Sequence, residues 1–165
     1  MAGKNKKKKN DPDAGVLATN RKALRDYHIL EKIEAGIVLS GTEVKSVKQG
    51  HISIQEGYVH VDDRMEAWLM ACTIQPYEQG NIHNHHQTRE RKLLMHRTEI
   101  ARLYGKIREK GLTIVPLKVY LVRGKVKVRI GLAKGKNVVD KRDTIKKRES
   151  DRDTQRAMRN HNNRF

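Results

Sequence analysis

This sequence predicts a mainly β chain, folded as one small barrel with a few short helices and a basic C-terminal tail. Three observations carry that expectation. Residues 112–132 form two apolar-rich runs around Arg123 and Gly124, the second alternating Val126, Val128, Ile130 and Leu132 with Lys125, Lys127 and Arg129. Between Tyr27 and Cys72 the apolar runs are short and broken by turn residues, the punctuation of strands rather than of long helices. The last 32 residues hold 11 Lys and Arg against 5 Asp and Glu and almost no apolar side chains. Such a segment cannot bury enough surface to offset its ordering entropy, so it is expected to be disordered when free.

Residues 1–19 read as a flexible basic arm, with Lys4 and Lys6 to Lys9 available for non-specific phosphate contact. Tyr27 to Ile33 reads as a strand, Glu34 to Gly36 as a turn or bulge, and Ile37 to Leu39 as its continuation. Ser40 and Glu43 have capping-box spacing: the serine hydroxyl takes an orphan amide and the glutamate reaches back. A short helix then runs to about Gln49 and stops at Gly50. Gly57 to Val61 and Glu66 to Cys72, separated by Asp62 to Met65, read as a hairpin. Residues 75–89 form a polar loop long for a compact domain, the kind that is either functional or disordered.

Ile100, Leu103, Tyr104 and Ile107 fall at helical spacing over residues 97–110, with Gly111 as the stop, and that helix is expected to cover one open end of a sheet. Leu112 to Val122 pairs with Lys125 to Leu132 across Arg123 and Gly124. Period two in the second strand sends the apolar set inward and Lys125, Lys127 and Arg129 outward in a row. Five or six short strands, a capping helix and a basic exterior strand match a barrel of the oligonucleotide-binding type. Its expected bounds are 20–133, followed by the tail at 134–165.

At 165 residues the chain holds one domain with tails. Its net charge of +17 is spread over the arm, the body and the tail, so the folded part is basic too. That is the footprint of a phosphate-backbone binder, in which each cation gains from counterion release. A membrane-surface reading needs a helix with a large apolar face, and no stretch approaches the roughly 18 apolar residues of a span. The basic N-terminal stretch runs into Asp11, Pro12 and Asp13 rather than a signal-peptide core, so a soluble cytoplasmic protein is expected. The single cysteine, Cys72, lies in an apolar run and reads as a buried thiol of a reducing compartment. On a helix, Arg148, Arg152, Arg156 and Arg159 of the tail fall within about an 80° arc.

His83, His85 and His86, with Glu90 nearby, are the local cluster that suggests metal or acid–base chemistry. They lack the cysteines or second spaced histidine pair of a zinc site. No P-loop, dinucleotide fingerprint or nucleophile elbow occurs, so no catalytic residue, metal or cofactor is assigned. Aromatic content of 4% disfavours an open stacking platform. Structured RNA, read by shape, phosphate and 2′-hydroxyl, fits better. Tyr27 and Tyr77 read as core-edge residues.

Ordered stretches from Asn20 to Arg142 carry a resemblance: Asn20 to Ala23, Tyr27, Glu34 to Ile37, Gly41 to Ser46, Arg91 to Leu94, Val126 to Val128, Ile130 to Lys136, and Asp140 to Arg142. Together they resemble the SsrA-binding proteins, also called small protein B, of bacterial trans-translation. The resemblance implies an oligonucleotide-binding barrel that grips the tRNA-like domain of transfer-messenger RNA. It implies delivery of the alanylated RNA, with elongation factor Tu and GTP, to ribosomes stalled without a stop codon; a monomer is expected. It implies RNA contacts at Tyr27, Glu34, Leu94 and Lys127, to which the outward basic row adds Lys125 and Arg129. The family's tail is unstructured alone and helical in the empty messenger channel. Gly135, Lys136, Asp140, Lys141 and Arg142 would then meet the ribosome near the small-subunit decoding centre, with Arg148, Arg152, Arg156 and Arg159 facing rRNA together.

The chain departs from the family pattern at three places. Asn137 stands where a second lysine usually follows Gly-Lys, and Val139 where a histidine precedes Asp-Lys-Arg. His85 to Arg89 lacks the proline of the family's loop, so a looser loop is expected there. Two other readings use the same residues: a structural ribosomal protein, from the charge and tails, and a ribonuclease built on His83, His85 and His86.

Overall fold

The computed structural model describes residues 15–137, 142, 145–147, 149–154, 156 and 158. In chain order come β1 (Val16–Thr19), α1 (Arg21–Asp26), β2 (Tyr27–Ile37), α2 (Gly41–Lys48), β3 (Ile52–Ser53), β4 (Tyr58–Val61), β5 (Ala67–Met70), β6 (Thr73–Ile74), a 3-10 turn (Asn81–His83), β7 (Arg91–Leu94), α3 (Arg97–Lys110), β8 (Thr113–Val122) and β9 (Lys125–Gly135). Hydrogen-bonded neighbours run β8, β4, β5, β7, β2, β9, and β9 pairs again with β8. Six antiparallel strands therefore close on themselves, leaving β1 alongside β8 and a small β3–β6 ladder outside. The mainly β expectation is borne out.

The alternation read in the last strand is what closes this barrel. Val128, Ile130 and Leu132 are at most 2% exposed and meet Leu69, Leu93, Ile114 and Val119 in the core. Each such side chain contributes roughly 1.5–3 kcal/mol by leaving water. The β8–β9 hairpin turns on Arg123 and Gly124, both at positive φ (49° and 78°). Positive φ at both central residues gives a two-residue turn whose twist matches that of the strands. Helix α3 sends Ile100 and Leu103 into the same core and stops at Gly111, φ 57°.

A second, smaller core sits outside the sheet. Ala23 of α1 packs with Val115, Leu117 and Ala133, flanked by Leu24, Tyr27 and Ile29. Asn20 builds this corner: its Oδ1 accepts from the Ala23 amide at 2.8 Å as the helix cap, and its Nδ2 donates to the Ile54 carbonyl at 2.8 Å. Gly131 of β9 lies beneath, where a Cβ would come within 2.9 Å of Leu117 Cδ1.

Several expectations need correction. The arm drawn over 1–19 includes β1, whose Val16, Ala18 and Thr19 pair with β8; residues 1–14 lie outside the described set. Glu34 to Gly36 is no turn, because β2 stays paired with β9 from Tyr27 to Gly36 and its irregularity falls between Ile29 and Glu31. Strand β9 runs to Gly135, so the tail begins later than residue 134. Arg91 to Leu94, unassigned from the sequence, is the strand that joins β5 to β2.

Loop 75–89 is tied to the barrel at both ends. Arg91, 0% exposed, donates to the carbonyls of Cys72 (2.7 Å), Arg89 (2.9 Å) and Gln87 (2.9 Å) and to Glu43 Oε1 (2.9 Å). Ser46 Oγ donates to the Gln75 carbonyl at 2.6 Å, and the His85 ring bridges Thr42 Oγ1 (3.0 Å) and the Ile74 carbonyl (3.2 Å). Those bonds supply the constraint that the missing proline would have given.

Candidate nucleic-acid interface

Strands β2, β9 and β8 lie side by side, and period two places Glu34, Lys127, Arg129 and Tyr120 on their outer face. Glu34 stands opposite Arg129 and Gly36 opposite Lys127 across β2–β9, and Tyr120 stands opposite Lys127 across β8–β9. The Tyr120 hydroxyl donates to Glu34 Oε2, Lys127 Nζ lies 3.4 Å from Oε1, and the Arg129 guanidinium sits 5.2 Å from the centre of the Tyr120 ring. The Tyr120 hydrogen bond holds the Glu34 carboxyl below its ordinary range; partial burial opposes this, and Lys127 and Arg129 reinforce it. Burial, then the bond to Glu34, raises the Tyr120 phenol. The carboxylate is thus ionised, acceptor-only and flanked by two cations.

Leu94 joins this group from β7. It pairs with Gly36, is 56% exposed, and borders a groove of about 480 Å³ with Glu34, Gly36, His96 and Lys127. A methyl at Gly36 would lie 3.1 Å from Leu94 Cβ, so the glycine lets the leucine lie low over the sheet. Lys125 starts β9 at the far side of a second groove that also touches Leu94 and Lys127. Of the expected RNA-contact residues, Glu34, Leu94 and Lys127 come together, with Arg129 and Lys125 beside them.

Tyr27 does not join them. It begins β2, opposite Gly135 at the end of β9, and edges a cleft of about 290 Å³ between α1 and Tyr58. Gly135 and Lys136, read as the first ribosome-contacting tail residues, belong to this corner: the Lys136 amide donates to the Asp26 carbonyl at 2.9 Å, and its Nζ lies 3.5 Å from the Leu24 carbonyl.

In the tail, Arg142, Arg152 and Arg156 are helical and exposed, with Arg156 3.8 Å from Asp153. Asp140, Lys141, Arg148 and Arg159 lie outside the described residues. Among the described residues, no group of three or more His, Cys, Asp or Glu side chains is placed to hold a metal ion. No helix among them is long and apolar enough to cross a membrane. Cys72 is buried, and burial pushes its thiol up to about 11.

Sequence reasoning missed Tyr120 and the role of Glu43. The first was within reach, since Lys118 and Tyr120 fall two apart on the outward face of the strand that pairs with β9. The second had a weaker signal: Arg91 alternates with Leu93 on an inward face, which demands a buried carboxylate without saying which one.

The sequence profile of the SmpB protein family matches residues 17–160. The chain belongs to the SmpB family. An SsrA-binding protein of Carboxydothermus hydrogenoformans is 52% identical over 144 residues, covering 87% of this chain and 96% of its own. That of Ligilactobacillus salivarius is 50% identical over 153 residues, covering 93% and 98%. A solved chain described as tmRNA-SmpB at the center of the bacterial ribosome is 47% identical, with a TM-score of 0.63 over 75% of this chain and 86% of that one. The resemblance drawn from the ordered motifs is therefore borne out at the level of family.

Proposed function

We propose that this chain binds the tRNA-like domain of transfer-messenger RNA and promotes its delivery to stalled ribosomes for trans-translation, as a non-catalytic adaptor. One observation carries the reading: Glu34, Leu94 and Lys127, drawn from three strands and separated by up to 93 positions, converge on one outer face. An apolar side chain, a cation and a fixed acceptor within one groove suit a folded RNA that offers an unstacked base, a phosphate and a base-edge donor. Lys125 and Arg129 widen the basic surface beside it, and Tyr27 offers a second contact at the other end of β2.

The tail is the second binding module. Asp140, Lys141 and Arg142 meet the decoding centre, and Arg148, Arg152, Arg156 and Arg159 line the empty messenger channel. Gly135 and Lys136, at the point where the chain leaves the barrel, begin this ribosome-contacting module. The working complex is a cytoplasmic monomer on alanylated transfer-messenger RNA, accompanied by elongation factor Tu and GTP. A gel-shift competition between the tRNA-like domain and ribosomal RNA fragments tests this. Preference for the tRNA-like domain is expected; equal affinity for both would favour a structural ribosomal protein instead.

A further inference from the structure

Tyr120 is the one uncharged member of the four-residue array on the outer face, and it touches two of the others. Its hydroxyl reaches across β9 to Glu34 Oε2, and its ring carries the Arg129 guanidinium. Lys127 approaches the remaining carboxylate oxygen at 3.4 Å. One phenol thereby restrains both an anion and a cation that would otherwise sample many rotamers.

The restraint matters because a glutamate beside RNA is a liability unless its direction is set. A carboxylate offers about four acceptor sites. Tyr120 takes one on Oε2 and Lys127 approaches Oε1, while the Glu34 side chain stays 45% exposed. Acceptor capacity on both oxygens is left for a ligand. Two neighbouring acceptors match a base edge with adjacent N–H donors, as in the N1–H and N2 amino group of an unpaired guanine. The Arg129 guanidinium lies 5.2 Å from the ring centre and also interacts with the Tyr120 hydroxyl, and its remaining N–H donors suit a phosphate oxygen.

The geometry points to Tyr120 as a positioning residue of the RNA site, presetting Glu34 as a paired acceptor for an unpaired guanine edge and Arg129 as a cation for the adjoining phosphate. This rests on the RNA-binding reading above and adds to it the kind of nucleotide recognised.

Binding of the purified full chain to the tRNA-like domain, followed across a salt series, tests it with Tyr120→Phe, Glu34→Gln, the double variant and Arg129→Gln. Tyr120→Phe keeps the ring and removes only the hydroxyl. It should weaken binding about five- to tenfold, the loss expected for a hydrogen bond to a charged group at a part-exposed site. Salt dependence and melting temperature should stay at wild-type values. In the Glu34→Gln background the same change should matter less than about twofold, because the partner it positions has gone. Arg129→Gln should instead flatten the salt slope by about one counterion. Kethoxal, which attacks guanine at N1 and N2, should find an unpaired guanine that wild type protects and Glu34→Gln releases.

Wild-type affinity for Tyr120→Phe overturns the positioning role. So does an equal loss in both backgrounds, or a loss that tracks a lowered melting temperature. Absence of a guanine protected through Glu34 overturns the base-edge assignment. A wild-type chain that does not prefer the tRNA-like domain sinks the RNA reading and this inference with it; a preferring wild type with an indifferent Tyr120→Phe sinks this inference alone.

Discussion

Neutralising Glu43 should loosen loop 75–89 and destabilise the barrel by about 3 kcal/mol, a value reached by two routes. Glu43 and Arg91 are both 0% exposed and 2.9 Å apart, and Glu43 also accepts from Arg89 and from the Ser40 amide. Burial alone would raise this carboxyl. The Arg89 and Ser40 hydrogen bonds and the charges of Arg91 and Arg89 overcome burial and bring it from 4.5 to about 2. At about 1.4 kcal/mol per unit, that difference is worth roughly 3 kcal/mol. Independently, removing one partner of a buried ion pair costs about 3–5 kcal/mol, because the other charge stays buried.

The pH dependence follows from the direction of the shift. A folded-state value below the unfolded one means that the unfolded chain binds the proton first, so the stabilisation is present above pH 4.5 and is lost as pH falls towards 2. Glu43→Gln keeps the shape and removes the charge. Urea unfolding at pH 7 should show the full deficit, and the gap to wild type should close between pH 4.5 and 2 as the wild-type carboxyl takes up its own proton. Replacing Arg91 by Met in the same chain should deepen the loss, since the Cys72, Arg89 and Gln87 carbonyls then lose their donor. A deficit at pH 7 below about 1 kcal/mol, or one that stays constant on acidification, would refute the argument.

Three further outcomes are expected. Gly131→Ala sets a methyl 2.9 Å from Leu117 Cδ1 and 3.0 Å from Ile29 Cγ2, and Leu117 is only 3% exposed, so it cannot swing aside. The overpacking should cost about 1–3 kcal/mol in a thermal melt; an unchanged melt would show that the α1 corner yields easily. Lys127→Ala should weaken binding to the tRNA-like domain and reduce the slope of log affinity against log salt by about one, and an unaltered slope would remove Lys127 from the phosphate contacts. Truncation after Lys136 should leave RNA affinity nearly intact while abolishing peptide tagging on stalled ribosomes. Loss of RNA affinity in that variant would contradict the two-module reading.

The parts of the fold that were legible in the sequence are those where one rule acts alone. Alternation in β9, the capping box at Ser40 and Glu43, and the helical spacing of Ile100, Leu103 and Ile107 all survive in the structure. Glu34 to Gly36 misled because a glycine beside an alanine looks like a turn, whereas here the glycine makes room for Leu94. Loop 75–89 looked loose because its restraints come from Arg91 and α2, which are distant in sequence. The site was legible where charge alternates along one strand, at Lys125, Lys127 and Arg129. The outward placing of Tyr120 could be read from its spacing to Lys118, but its bond to Glu34 could not, since that hydroxyl reaches across a neighbouring strand. Tertiary bonds of that kind leave no periodic trace.

The pairing of β2 with β9 sets how the two ends of the barrel relate. Tyr27 and Glu34 pair with Gly135 and Arg129, six residues apart on β9, which places them about 20 Å apart along the outer face at about 3.3 Å per residue. Gly135 is paired with Tyr27, so the chain leaves the barrel at the end remote from Glu34 and Lys127. An RNA touching both Glu34 and Tyr27 would therefore lie along β2 and reach the point where the tail departs. Because β9 is bonded to β2 on one side and β8 on the other, that distance cannot change without breaking a ladder. The Lys136 amide, bonded to the Asp26 carbonyl, is the last main-chain link to the barrel among the described residues. Cutting after Lys136 spares this link, whereas cutting before Gly135 would remove the partner of Tyr27. Only the first cut separates the tail from the RNA site, and this is why the truncation must be made there for its outcome to bear on two modules rather than on one damaged barrel.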